Sequence, residues 1–140
     1  GMPLARDFTV PGRPVPQGSL RAFKTKAGAV VTPQEPKVVV YRGDIRIGWG
    51  EPAPTRNPVR LRVEFSFRRP QYHVDSRGSV KPKWADARFT GKPDLDKLVR
   101  SVMDALTGYA FVDDSQVIEV EASKRFSETE QTFVSLREVS

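Results

Sequence analysis

The 140-residue sequence contains no cysteine and a single histidine. Without cysteine there is no disulfide framework, no thiolate nucleophile and no thiolate metal site. One histidine does not favour a zinc centre either, because such centres group histidine with histidine or cysteine. A chain without cysteine and without a signal peptide is typical of a reducing compartment, and we therefore predict a cytoplasmic protein.

Long hydrophobic runs are also missing, since no apolar stretch approaches the roughly 18 residues of a membrane span. We therefore expect no membrane partner. The length favours one domain, residues 2–140, with a core that needs no covalent staples. Gly1 precedes Met2 as a tag-cleavage remnant would and is set aside.

Acidic residues are the minority among the charged ones. Lys and Arg number 23 against 17 Asp and Glu, which leaves a net charge of +6. A small basic protein favours an anionic partner, and nucleic acid is the first candidate.

Residues 59–69, VRLRVEFSFRR, form the clearest strand pattern in the chain. Apolar and polar residues alternate strictly, which predicts one buried face and one wet, largely basic face. Residues 6–12 and 115–126 read as further strands, and 131–139 reads as the hairpin partner of 115–126 across the turn SETE. The irregular stretch 13–36 contains a candidate hairpin at Ala27-Gly28.

Residues 92–108, KPDLDKLVRSVMDALTG, predict an amphipathic helix that ends at Gly108. Its apolar stripe consists of Leu95, Leu98, Val99, Val102, Ala105 and Leu106. Residues 37–49 are ambiguous, because their β-branched residues favour strand while their apolar spacing fits a helix. About four strands with one or two helices in mixed order indicate the α+β class.

Residues 69–93 show no periodicity, and a loop this long in a compact domain is functional or disordered. The loop is rich in cations and carries Tyr72, His73, Trp84 and Phe89. We expect His73 to be a surface or DNA-contacting residue rather than a metal ligand. The three other rings are candidates for stacking on exposed bases or for ordinary packing.

Two acidic pairs stand out, and each has a structural and a functional interpretation. Asp94 occupies an N-cap position and Asp96 a first-turn position, where carboxylates stabilise a helix. At a strand-to-helix junction the two carboxylates can also converge on a cation. Asp113 and Asp114 precede a strand, and for Asp113 we favour a solvated turn. If Asp114 returns to the helix start, three carboxylates make an oxygen-rich site suited to Mg²⁺ or Mn²⁺.

The stretch KPDLDKLVRSVMDALTG followed by FVDDSQV resembles the RusA family of Holliday-junction endodeoxyribonucleases, which are common in phages and prophages. The family pattern is a DxD pair, then a basic residue four positions after the second Asp, then Asp-Ala-Leu and Asp-Asp-x-Gln-Val. The segments VPGRPVPQGS and VTPQEP resemble the family's N-terminal arm. The resemblance is strong over residues 92–117 and weak over 40–90.

The resemblance implies a Mg²⁺-dependent endonuclease that resolves four-way junctions in DNA recombination and repair and leaves 5′-phosphate ends. It implies a mixed sheet flanked by helices, a homodimer, a helix at 37–49, and a bacterial or phage-infected host cell. The family's metal-binding and catalytic carboxylates fall on Asp94, Asp96 and Asp114. Asp113 is the non-essential neighbour.

Two positions depart from the family pattern. The catalytic lysine of the family falls on Arg100, which stays protonated and serves to neutralise phosphate charge. Lys97 stands where the family has Asn, so the two cations together are candidates to replace one lysine. Both also lie within ion-pairing reach of the helix acids. The expected DNA-binding residues are Lys97, Arg13, Arg21, Lys24, Arg69, Arg77, Lys81, Lys83, Arg88 and Lys92.

Two alternatives stay open at the level of the sequence. One is a basic DNA-binding protein without catalysis, whose acids only cap a helix and fill a turn. The other is a metal nuclease that acts on flaps or other branched DNA.

Overall fold

The computed structural model describes residues 2–18, 22–25, 28–31 and 35–140, with side chains given outside 22–25 and 29–31. Strands β1 (Ala5–Pro11), β4 (Val59–Arg68), β5 (Val117–Ser127) and β6 (Gln131–Glu138) form one mixed sheet in the order β1-β6-β4-β5. Helices α1 (Pro36–Trp49) and α2 (Leu95–Leu106) complete an α+β fold, as predicted. In the described part of the chain no helix is long and apolar enough to cross a membrane.

The strict alternation of β4 makes it the centre of the sheet. Leu61, Val63, Phe65 and Phe67 are buried on one face, and β4 pairs with β5 in parallel and with β6 antiparallel. The opposite face is wet and carries ion pairs such as Arg60–Glu119 at 3.1 Å. Fully burying each large apolar side chain contributes about 1.5–3 kcal/mol, which fixes the strand's register.

The predicted hairpin between residues 115–126 and 131–139 was wrong. β4 lies between β5 and β6, and neither of the two pairs with the other. The physical reason is burial, because β4 carries the most continuous apolar face and must be flanked on both sides. The short turn therefore leads the chain past β4 instead of folding it back on itself.

The helix prediction for residues 37–49 is confirmed by α1. Pro36 at the first position starts it, and Val38, Tyr41, Ile45 and Trp49 form its buried face. Val39 and Val40 point to solvent, so the helical spacing decided the structure over β-propensity. The hairpin at Ala27-Gly28 is confirmed by β2 (Ala22–Thr25) and β3 (Gly28–Val31), which pair antiparallel.

The apolar stripe of α2 packs on the sheet as predicted. Leu98, Val102, Ala105 and Leu106 are fully buried, while Leu95 and Val99 pack partly against the same core. Helix α1 contacts β1 and α2, and α2 contacts β5, so α2 covers the β5 side of the sheet. The N-terminus of α2 consequently lies near the end of β5.

Candidate nuclease site at the start of α2

Asp94 is the N-cap residue of α2, but its side chain does not cap the helix. Its Oδ2 accepts a hydrogen bond from Lys92 Nζ at 2.8 Å and lies 3.9 Å from Lys97 Nζ. The Lys92 hydrogen bond, with the charges of Lys97 and Lys124, holds the pKa of Asp94 below its ordinary value. Asp94 is therefore an ionised carboxylate at neutral pH, held by cations rather than by the helix backbone.

Asp96 lies in the first turn of α2 and is exposed. Within the described part of the chain its carboxylate has no hydrogen bond and no ion pair. Arg100, one turn further on, is exposed in the same way and pairs with neither Asp96 nor Asp104. The nearest cation to Asp104 is Arg42 of α1, at 3.9 Å. Asp96 and Arg100 are thus available to a ligand.

Lys124 of β5 positions the segment that leads into α2. Its Nζ donates hydrogen bonds to the carbonyl oxygens of Gly91 and Pro93, the latter at 2.9 Å. Sequence reasoning missed this residue. The signal was present, because Lys124 occupies the core-facing phase of β5 between Ala122 and Phe126, where an apolar side chain is expected.

The two members of the second acidic pair, Asp113 and Asp114, have different surroundings. Asp113 caps the short 3₁₀ turn Asp114–Gln116, where its carboxylate accepts from Ser115 N at 3.0 Å. Hydrogen bonding with Ser115, first with its side chain and then with its backbone N–H, holds the pKa of Asp113 below its ordinary value. Asp114 is exposed, and its side chain makes no hydrogen bond or ion pair with the residues that the structure describes. The turn expected for Asp113 is confirmed.

Gln116 fixes the place of Asp114. Its Nε2 donates to Thr55 O at 2.8 Å and to Asn57 O at 2.9 Å, while its Oε1 accepts from Asp113 N at 2.8 Å. The glutamine of the Asp-Asp-x-Gln-Val pattern therefore ties the start of β5 to the segment before β4. Sequence reasoning gave this residue no role of its own.

The structure does not bring the three carboxylates together within one copy of the chain. Lys124 marks the β5 end near Asp94, and Val117 lies seven positions away, or roughly 20 Å at the strand rise. The 12 residues of α2 span a similar length, about 18 Å. Among the described residues, no group of three or more His, Asp or Glu side chains is placed to hold a metal ion. Asp114 lies at the opposite end of α2 from Asp94 and Asp96.

His73 is buried, which corrects its expected place on the surface. Its ring stacks on Trp84 with centroids 4.5 Å apart and meets Phe126 edge-on. Burial and the nearby charge of Arg69 lower its pKa, so the ring is neutral at neutral pH. Packing against aromatic neighbours therefore stabilises the neutral ring in the interior more than exposure to solvent would.

Of the ten predicted DNA-binding cations, Lys92 and Lys97 lie beside Asp94, and the other eight fall into three groups. Arg77, Lys81, Lys83 and Arg88 are exposed and make no ion pair within the described residues. Arg69 is engaged, since its guanidinium donates to Trp84 O at 2.8 Å, and Arg13 pairs with Glu130 at 2.8 Å. Arg21 lies outside the described residues, as does the side chain of Lys24, whose backbone belongs to β2.

Half-buried Asp94 and exposed Asp96, with Lys92, Lys97 and Arg100 around them, form a site of the kind that suits phosphodiester chemistry. Comparison with known proteins gives the family. The model of the family "Endodeoxyribonuclease RusA" matches residues 11–137, and the chain therefore belongs to the RusA endodeoxyribonuclease family. The chain is also similar to "Uncharacterized protein YqaN" of Bacillus subtilis strain 168, with 33% identity over 95% of this chain and 96% of that protein. Membership supports a DNA endonuclease that acts on Holliday junctions.

Proposed function

We propose that this protein is a Mg²⁺-dependent endodeoxyribonuclease that resolves Holliday junctions by paired phosphodiester hydrolysis in DNA recombination and repair. The observation that carries the proposal is the pair of half-buried Asp94 and exposed Asp96 at the start of α2, beside Arg100, which has no ion pair among the described residues. The products would carry 5′-phosphate ends. Such a DNA-processing role, in a prophage or in its host, fits a cytoplasmic location.

The metal site requires two copies of the chain. Asp94 and Asp96 of one copy supply carboxylate oxygens, which are the ligands that Mg²⁺ and Mn²⁺ prefer. Asp114 lies roughly 20 Å away in the same copy by the strand and helix rises, so the third carboxylate must come from a second copy. Bound there, Mg²⁺ would lower the pKa of a water nucleophile and polarise the scissile phosphate.

One side of α2 and the free edge of the sheet offer a surface for that second copy. Val99 and Met103 lie on the side of α2 away from α1, since Asp104 on the other side approaches α1. On the adjoining edge strand β5, Ile118 and Val120 are 57% and 42% exposed. Exposed apolar side chains on a sheet edge indicate a protein partner.

Charge complementarity selects a second copy in antiparallel orientation as the partner. One end of this surface carries Lys92 and Lys97 beside Asp94 and Asp96, with Arg100 midway along α2, and the other end carries Asp113 and Asp114. A two-fold axis between the ends brings Asp113 and Asp114 of each copy to the cations at the start of α2 in the other copy. The same operation places Asp114 of one copy beside Asp94 of its mate. A four-way junction is itself two-fold symmetric, so two sites in one dimer match its two opposed strands.

In this arrangement different residues bind the metal, position the segments of the site and stabilise the charge that develops during cleavage. The carboxylates hold the metal, and Gln116 and Lys124 position the segments that carry them. Arg100 stabilises the charge that builds on the phosphate or the leaving oxygen, a contribution of about 10²–10³ in rate for one electrostatic group. Lys97 is more committed, because its Nζ lies near Asp94.

Mixing two inactive variants tests the shared site. Asp96→Asn and Asp114→Asn should each be inactive alone. After subunit exchange, a mixed dimer contains one site with neither substitution, so cleavage should return to about a quarter of the wild-type level if pairing is random. If all three carboxylates belonged to one copy, no mixture would recover activity, and this result would refute the shared site.

The non-catalytic alternative keeps one observation in its favour, namely that the described residues of a single copy hold no three-acid group. Mg²⁺ should raise the melting temperature of the wild-type protein and not that of Asp96→Asn. Comparing cleavage of a four-way junction, a flap and a linear duplex separates a junction resolvase from a nuclease for other branched DNA. Equal rates on all three substrates would contradict the proposal.

A further inference from the structure

Residues 69–93 fold into an ordered wall instead of a disordered loop. Lys81 N donates to His73 O at 2.8 Å, and the carboxylate of Asp75 accepts from Arg77 N and Ser79 N at 2.9 and 3.0 Å. The segment contains two short 3₁₀ turns, Gln71–His73 and Pro82–Trp84. Arg69 joins them, since its Nη1 donates to Trp84 O at 2.8 Å and lies 3.3 Å from His73 Nδ1. A segment with these internal hydrogen bonds is preformed for a ligand.

A cavity of about 790 Å³ lies between this wall, the end of β5 and the start of the arm at Arg13. Its volume falls in the range of about 300–1,000 Å³ that is common for small-ligand sites. Trp84 stacks on His73 and meets Tyr72 edge-on at 5.2 Å, and Phe89 stacks on Phe126 at 4.9 Å. Tyr72 is 59% exposed, so its ring is open to a further partner.

The charges that line this cavity are strongly unbalanced. Five cations face one acid, since Arg13, Arg68, Arg69, Arg88 and Lys92 line the cavity with Glu130. Glu130 is already paired with Arg13. In the part of the chain that the structure describes, Arg68 and Arg88 have exposed side chains without an ion pair. The cavity therefore suits an anion with an aromatic portion.

We propose that this cavity binds one unstacked nucleotide of a DNA strand, with the base on the ring of Tyr72 and the flanking phosphate between Arg68 and Arg88. Aromatic rings bind bases through their π-faces without sequence preference, and the guanidinium group matches a phosphate. A duplex, whose major groove alone is about 12 Å wide and 8.5 Å deep, is too large to enter a cavity of this volume.

The position of the cavity connects the site with the acidic pair. Gly91 and Lys92 line one rim, and Lys92 Nζ bonds directly to Asp94. A strand whose nucleotide is held in the cavity would leave it beside the start of α2. The site would thus select DNA that offers an unpaired nucleotide next to the scissile phosphate. This role deepens the proposed function, but the binding itself does not depend on cleavage.

The test is binding of a fluorescently labelled dT12 strand and of an abasic 12-mer of the same charge, measured by anisotropy without divalent metal. The wild-type protein should prefer dT12. Tyr72→Leu should weaken dT12 binding by about 5- to 150-fold, the scale of one stacked base, and leave the abasic strand unaffected. Tyr72→Phe keeps the ring and should behave as the wild type. Equal affinity for the two strands, or equal loss in both Tyr72 variants, would overturn the base site.

The phosphate part of the site has its own matched control. Replacing Arg68 and Arg88 together with Gln should weaken both strands and reduce the salt slope by about 0.7, the value for one single-strand phosphate. Arg56→Gln removes an exposed cation at the other end of the sheet and should change neither quantity. An unchanged slope in the double variant refutes the phosphate assignment. Because no metal is present, these binding results do not depend on cleavage. If the wild-type protein shows no base preference while Tyr72→Leu cleaves junctions normally, the base site is rejected and the proposed function stands.

Discussion

The two acidic pairs look alike in the sequence, and the structure gives their members different surroundings. Asp113 is occupied by the backbone of its own turn, and Asp94 is occupied by Lys92. Asp96 and Asp114 have exposed carboxylates without a partner in the described residues. We therefore expect the metal ligands to be Asp96 and Asp114, one exposed acid from each end of α2, supported by Asp94.

The largest effect should come from removing a free acid. Asp96→Asn and Asp114→Asn should each lower the single-turnover cleavage rate by about 10³-fold or more, because each removes a charged ligand of the metal. Neither side chain makes a hydrogen bond or ion pair with the residues that the structure describes, so melting temperatures should stay close to that of the wild type. Asp113→Asn is the matched control and should cleave at nearly the wild-type rate. Equal losses for Asp113→Asn and Asp114→Asn would remove the distinction between the two neighbours.

The sequence was sufficient to predict the secondary-structure elements, but it was not sufficient to predict how they are arranged around the two ends of α2. Alternation in β4 and the stripe of α2 follow from local spacing, which a single chain displays directly. The position of β4 between β5 and β6 depends on which face buries more area, a property of the whole sheet. The distance between Asp94 and Asp114 depends on the lengths and directions of α2 and β5 together. The burial of His73 required its partners Trp84 and Phe126, which come from separate parts of the chain.

The next largest effect concerns Arg100, the exposed cation midway along α2 and one turn after Asp96. If its charge stabilises the transition state, Arg100→Ala should lose about 10²–10³-fold in cleavage rate and Arg100→Lys should keep most activity. Failure of both variants would indicate that the planar guanidinium is needed. Single-turnover rates at saturating Mg²⁺ measure this, and Arg56→Ala is the control for loss of an exposed cation. Normal cleavage by Arg100→Ala would move the role to Lys97.

The outer cations should influence affinity more than chemistry. Lys81 and Lys83 are exposed on the wall formed by residues 69–93, and Lys83 Nζ lies 5.3 Å from the centre of the Trp84 ring. Replacing both with Gln should reduce the salt slope of junction binding by about two, if each contacts one phosphate. The melting-temperature response to Mg²⁺ should not change. An unchanged slope would exclude this part of the wall from the DNA-binding surface.

A smaller effect is expected at the structural member of the second pair. Asp113→Ala removes the acceptor for Ser115 N and should lower the melting temperature by a few degrees, as loss of an N-cap does. Asp113→Asn should restore most of that loss, because an amide oxygen also accepts the hydrogen bond. Thermal melting of both variants without metal measures the difference. If Asp113→Ala and Asp113→Asn have the same melting temperature, capping of the turn is not what makes the role of Asp113 different from that of Asp114.

The smallest effect is expected at Asp7, a surface acid that serves as a reference for the acids at the two ends of α2. Asp7 on β1 accepts from both guanidinium nitrogens of Arg137, at 2.6 and 3.1 Å, and this pairing lowers the pKa of Asp7. A lowered folded-state pKa means that the pair stabilises the protein above the unfolded-state pKa, about 3.9, and that this contribution is lost as the pH falls through the folded-state value. Asp7→Asn should therefore be slightly less stable near pH 7 and should lose less stability than the wild type on acidification below about pH 4. Urea unfolding at several pH values measures this, and cleavage by Asp7→Asn should be normal. A cleavage defect as large as that of Asp96→Asn would show that removing any paired acid disturbs the protein, and the contrast between the two acidic ends of α2 would lose its meaning.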